Sequence, residues 1–142
     1  MQTVELKRSI WINAPRERVW LAVTDPAQIQ AWFAPGTPIA MKGNRVSITI
    51  NDQEIEVAEV EIMDPPRQLT TRGLPERTIA TTYLLEEENG GTRFTVIETG
   101  LEALPEDARQ KHLEQDDAGW VQALANLHAY IDGKALPHPQ GF

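Results

Sequence analysis

The chain has 142 residues, 41% of them apolar and 24% charged, with a net charge of −8 and no cysteine. That length suits one domain able to bury a core without covalent staples, and the missing thiols exclude a disulfide framework, a cysteine nucleophile and a thiolate metal site. The acidic balance argues against nucleic acid, whose phosphates need a basic face, and against anionic membrane surfaces.

No apolar run approaches the ~20 residues of a bilayer span. Charges interrupt the N-terminal stretch, so it lacks the apolar core of a signal peptide. The expected location is the cytoplasm.

Residues 3–12 alternate, with Val4, Leu6, Ile10 and Ile12 on one face, which predicts a strand with one buried side. Arg8 interrupts that face, either as a cation inside a cavity or as a side chain whose stem is buried and whose head stays in water. Trp11 stands on the polar face, a position suited to a dimer contact or to cover by a neighbouring element. Pro15 opens a short helix carrying Val19, Trp20 and Val23. The helix ends before Pro26. Asp25 is placed to cap a second short helix, with Ile29, Trp32 and Phe33 on one face.

Strands fill the middle of the chain. Val46, Ile48 and Ile50 alternate, and Asn51-Asp52 reads as a hairpin turn. In the next strand the apolar phase moves from Ile55 and Val57 to Val60 and Ile62, which predicts a bulge near Ala58-Glu59. Residues 67–73, 77–87 and 92–99 follow as strands. Asn89-Gly90 joins the last two, a pair that tolerates positive φ. Glu54, Glu56, Glu59, Glu61 and the run Glu86-Glu87-Glu88 read as solvated positions that discourage edge-to-edge association.

Residues 100–111 read as a polar connector. The last element is a helix from about His112 to Ile131. At ~100° per residue, Leu113, Trp120, Leu124, Leu127 and Ile131 lie within about 40° of one line. Gly133 stops it. The expected organisation is a single domain over 1–134 with an extended tail over 135–142.

The order is one strand, two short helices, about six more strands and a long helix. Hairpin connections make the sheet antiparallel, and its apolar face needs cover. The expectation is an α+β fold, with a curved sheet wrapped around the terminal helix and a cavity between the two.

Trp32, Phe33, Tyr83, Trp120 and Leu124 are candidates for the wall of that cavity, gripping a flat or apolar ligand. The same side chains also suit ordinary core packing. Glu98 shares a strand face with Phe94 and Val96. Turned inward, it is a buried carboxylate in need of a partner, and Arg8 or His128 could supply one. A desolvated Glu98 would hold its proton more tightly and could serve as a general base or a ligand contact. Asp117 and His128 flank the helix stripe, ~40° and ~60° from its line. His112 and His128 point roughly 160° apart and cannot chelate one metal from that helix, so no metal and no cofactor is expected.

Several short stretches follow one another in a distinctive order. They are Ile12-Asn13-Ala14-Pro15 with Val19-Trp20, and Thr24-Asp25-Pro26 with Trp32-Phe33. Later come Asp64-Pro65-Pro66, Gly91-Thr92 before the strand Arg93–Thr99, and Gly119-Trp120. Together they resemble the START-like, helix-grip superfamily, in the branch named for the activator of heat-shock protein 90 ATPase homologues. The resemblance covers nearly the whole chain. It implies the helix-grip fold, and single-domain relatives that look like small-molecule binding proteins. Related branches include polyketide cyclases, lipid carriers and hormone receptors.

The expected function is therefore binding of a small, largely apolar or amphipathic molecule, by a monomer or homodimer. Arg8, Glu98, Asp117 and His128 are the expected polar handles. Two alternatives stand beside it. One is a cyclase- or hydrolase-type enzyme using Glu98 or His128 as general base. The other is a co-chaperone-like module whose outer surface modulates a chaperone ATPase.

Overall fold

A computed structural model describes residues 4–140. The elements run β1 (Leu6–Ile12), α1 (Arg16–Thr24), α2 (Pro26–Trp32), β2 (Ile39–Lys42), β3 (Arg45–Ile50), β4 (Gln53–Asp64), β5 (Gln68–Gly73), β6 (Ala80–Glu88), β7 (Gly91–Thr99), and α3 (Glu106–Ile131). The seven strands form one antiparallel sheet in the order β1-β7-β6-β5-β4-β3-β2. Only β1 pairs out of sequence, because α1 and α2 carry the chain from one edge of the sheet to the other. This is the α+β architecture the periodicity predicts.

Alternation explains how β1 seats the helix. Leu6 and Ile12 are buried while Lys7 and Ser9 face solvent. The helix α3 packs against β1, α1 and α2. Trp120, Leu124 and Leu127 enter the core, and Leu113 and Ile131 pack against it part-buried. A fully enclosed side chain such as Leu127 contributes about 1.5–3 kcal/mol by leaving water.

Both short helices press their apolar side inward. Val19, Ala22, Val23 and Trp32 are buried, and the Trp32 indole N–H donates to the Ala22 carbonyl at 2.7 Å. That bond fixes the angle between α1 and α2. Pro15 lies one residue ahead of the first helical position, in extended conformation. Asp25 occupies the cap position of α2, but its side chain makes no capping bond there.

The turns follow their residue types. Asn51 and Asp52 have φ of 51° and 63°, and Asn89 and Gly90 have 48° and 78°. Both pairs meet the positive φ of a tight hairpin. Gly91 is required for a different reason. A Cβ there would stand 2.4 Å from the Ile12 carbonyl oxygen and 2.8 Å from the Trp11 ring.

Five features differ from the sequence expectations. The strand β2 has too few residues to display a period. The strand β4 carries two irregularities where one was expected. They leave Val57 and Glu61 unpaired, on either side of Ala58-Glu59. The strand β6 begins at Ala80, not at 77, since Arg77 takes a φ of 63°. The final helix begins at Glu106, six residues before His112. Pro105 and the acidic pair Glu106-Asp107 are start signals, but the first turns are polar and the apolar stripe opens only at Leu113. The fifth feature is the end of the chain. Buried Asn126 donates to the carbonyls of Trp32 (3.1 Å) and His138 (2.9 Å), and accepts from the His138 N–H at 2.9 Å. Leu136 packs against the core beside it.

Trp11 is covered by a neighbouring element. It is half-buried, and its indole N–H donates to the Glu88 carbonyl at the end of β6, at 2.7 Å. Among the described residues no helix is long and apolar enough to cross a membrane.

Candidate functional site

The most apolar pocket lies under α2, not under α3. It is a cavity of about 410 Å³, within the ~300–1,000 Å³ range usual for small-molecule sites. Val23, Pro26, Ile29 and Phe33 form its roof. Met41, Val46, Ile48, Leu69 and Tyr83 form much of its floor, from β2, β3, β5 and β6. The strand period sets this lining: Val46 and Ile48, Leu69 and Thr71, and Thr81 and Tyr83 are each two residues apart. The irregularity in β4 adds to it. Because Val57 is unpaired, both Val57 and Ala58 face the cavity.

The lining is apolar apart from Thr37, Thr71, Thr81 and Tyr83, and no charged residue contributes to it. A charged group entering this space would lose its hydration without a counter-charge, at a cost of several kcal/mol. The chemistry of the walls selects neutral, largely apolar molecules with one or two hydroxyl-bonding groups.

Aromatic rings link the cavity to the core. Phe33 meets Trp32 edge-on at 5.4 Å between centroids and Trp120 at 5.8 Å. Tyr83 meets Trp120 edge-on at 6.0 Å and Phe94 at 5.2 Å. Such pairs contribute about 0.5–1.5 kcal/mol beyond their burial. Burial also raises the ionisation of the Tyr83 phenol well above its ordinary range, and the nearby Glu98 charge adds to this. Tyr83 is therefore a neutral hydroxyl.

The nine residues singled out from the sequence fall into four places. Phe33 and Tyr83 line the cavity. Trp32 and Trp120 stand behind it as ring partners, Trp32 fully enclosed. Arg8, Leu124 and His128 border an open cleft between β1 and α3. That cleft, not an enclosed cavity, is what separates the sheet edge from the terminal helix. Arg8 and Asp117 form a bidentate ion pair at 2.7 Å for each bond, with side chains 46% and 38% exposed. The guanidinium holds the Asp117 carboxyl below its usual range. His128 pairs with Asp132 one turn along α3 at 3.3 Å.

Glu98 occupies the fourth place. It is buried, so the strand face it shares with Phe94 and Val96 turns inward, but neither Arg8 nor His128 is its ion-pair partner. Its Oε2 lies 3.5 Å from His112 Nε2, and that nitrogen lies 3.0 Å from Asp116 Oδ2. Burial, with the Asp116 carboxylate next to it, pushes the Glu98 carboxyl up to about 8, against a smaller opposing pull from the Trp120 indole. At neutral pH it holds its proton. His112 and Asp116 carried a readable signal, since their i, i+4 spacing puts both on one helix face. What the spacing lacked was the third residue, because β7 meets α3 only in the folded chain.

The sequence also passed over the β2 contribution to the cavity, Ile39 and Met41, and the preceding Thr37.

A model of the family described as Activator of Hsp90 ATPase homolog 1-like protein matches residues 13–132. The chain belongs to this family. Among solved structures, a protein of Mesorhizobium loti is similar with a TM-score of 0.72 and 22% identity, over 95% of this chain and 100% of that one. A protein of Staphylococcus saprophyticus is similar at 0.74 and 20%, over 94% and 96%. The solution structure of the Aha1 dimer from Colwellia psychrerythraea is similar at 0.73 and 15%, over 90% and 96%. At these identities the likeness shows the fold: the START-like helix grip that the motif order suggested. Among curated proteins none matches the chain.

Proposed function

We propose that this Activator of Hsp90 ATPase homolog 1-like protein binds a small, neutral, largely apolar molecule in the cavity between α2 and strands β2–β6. The observation that carries this reading is an apolar lining without a single charge. The rings of Phe33 and Tyr83 grip the ligand, and the hydroxyls of Thr71, Thr81 and Tyr83 orient it. Binding needs no turnover, and neither Glu98 nor His128, the two candidate bases, is among the lining residues.

The test is native mass spectrometry of freshly purified protein, followed by denaturing extraction of whatever it carries. The expected result is a co-purified neutral molecule, lost in Ala58→Trp, which fills the cavity, and kept in Arg8→Ala, which breaks the Asp117 ion pair and alters the open cleft but no residue of the cavity lining. A ligand kept by Ala58→Trp and lost by Arg8→Ala would move the site to the β1–α3 cleft and overturn the reading.

A further inference from the structure

Glu98, His112 and Asp116 each offer one ligand atom, and the three atoms lie within 4.8 Å of one another. Glu98 rises from the end of β7, while His112 and Asp116 sit one turn apart on α3. The Glu98 side chain is only 6% exposed, and its Oε1 finds no hydrogen-bond partner among the described residues. His112 Nε2 is also unsatisfied. Both carboxylate oxygens are near it, but neither is aligned to accept a hydrogen bond from it. Two orphaned buried polar atoms within one cluster are an unfavourable arrangement, since neither regains the hydrogen bonds it gave up to water.

A cation would take the His112 nitrogen and one oxygen from each carboxylate as ligands. Imidazole and carboxylate ligands bind zinc at about 2.1 Å, which places neighbouring tetrahedral ligands about 3.4 Å apart. The separations here are 3.0 and 3.5 Å. Oxygens beside the nitrogen's axis, not on it, are where the other ligands of a shared metal belong. One imidazole with two carboxylates suits the divalent transition ions, whereas calcium and magnesium prefer oxygen alone. A divalent cation would displace the Glu98 proton on binding and neutralise the two carboxylates it then meets.

We propose that Glu98, His112 and Asp116 form a binding site for a divalent transition cation of the zinc class, with three protein ligands and a position open to water. The entry path is on the helix side, where His112 and Asp116 have side chains 23% and 36% exposed. The site adjoins the apolar cavity without lining it: Thr81, the partner of Glu98 across the β6–β7 ladder, is a lining residue and Glu98 is not. The cation would tie the end of β7 to the first half of α3, a join that no other described ion pair makes.

The experiment titrates the full-length protein, freed of any affinity tag, with Co²⁺ near pH 8, where carboxylate and imidazole ligands are open to metal. The readouts are the visible bands of Co²⁺ and calorimetry with Zn²⁺. The expected result is one saturable site with a dissociation constant of about 10 μM or tighter. Glu98→Gln and His112→Ala should each weaken it by about tenfold or more, while His128→Ala, which removes the other histidine–carboxylate pair on α3, should leave it unchanged. Nitrogen NMR of the wild-type histidines gives a second readout that needs no variant, with the His112 resonances moving on addition of Zn²⁺. Absence of saturable binding, full affinity in Glu98→Gln, or movement confined to His128 and His138 would overturn the proposal. None of these outcomes bears on the apolar cavity.

Discussion

Tyr83 and Trp120 meet edge to face, their ring centroids 6.0 Å apart and their planes at 88°. Tyr83 is part of the cavity floor, and Trp120 belongs to the terminal helix. The helix therefore shapes the cavity without lining it, by holding the rings that do.

Truncating that support should be felt in both stability and binding. Trp120→Ala should lower the free energy of unfolding by about 3–5 kcal/mol, as for other large buried aromatics. Urea denaturation gives the loss, and Trp120→Phe should recover much of it. Any ligand carried by the wild type should be weaker in Trp120→Ala, because Phe33 and Tyr83 lose a common neighbour. An unchanged midpoint would show that the ring network adds nothing.

Asn126 joins three segments through one buried amide: α3, the end of α2 and the tail at His138. Asn126→Leu removes the amide and leaves the Trp32 carbonyl and His138 backbone short of partners. The expected loss is about 1–3 kcal/mol. Hydrogen exchange of amides at 136–140 should quicken more than that of β7. Equal quickening everywhere would show that the tail is held by Leu136 packing and not by the amide.

Gly91 opens β7 directly against Trp11 and Ile12 of β1. Gly91→Ala would place a methyl group 2.4 Å from the Ile12 carbonyl oxygen, where only backbone movement makes room. Overpacking of this kind costs about 1–3 kcal/mol. Gly36→Ala places its methyl in open space and strains only a φ of 88°, so it should cost less. Thermal melting of the two variants ranks them.

Three carboxyls of β4, those of Glu54, Glu59 and Glu61, should titrate low. Glu54 bonds Lys42, Glu59 bonds Arg77 and Glu61 bonds Arg72, and each pairing holds its carboxyl below the ordinary 4.5. A carboxyl depressed on folding adds stability that is present above its unfolded pKa and is lost as pH falls through the folded value. The three are solvated, so the effect on stability is small and screened by salt. Carboxylate NMR should find all three midpoints below 4.5, and Lys42→Met should raise that of Glu54 while leaving Glu61 in place.

Periods and turn residues were enough to order nearly every element. Val4, Leu6, Ile10 and Ile12 declared a one-sided strand, Asn51-Asp52 and Asn89-Gly90 declared their hairpins, and the stripe from Leu113 to Ile131 declared the last helix. Those are local facts, because side-chain direction repeats every two or 3.6 residues whatever the rest of the chain does. That Glu98 shares a strand face with Phe94 and Val96 was legible for the same reason, but not whether that face turns inward. Three other matters were decided only by tertiary structure. Trp32 and Phe33 are adjacent in sequence, yet one is core and the other lines the cavity. The cavity sits under α2 because the β1–β7 pairing puts α3 at one side of the sheet and leaves β2–β5 to the short helices. Glu98 acquired His112 and Asp116 as neighbours, not Arg8 or His128, because the register Leu6↔Glu98 sets the end of β7 against the first half of α3. Periodicity tells which way a side chain points. What it meets there depends on contacts between segments far apart in the chain, and no local pattern encodes those.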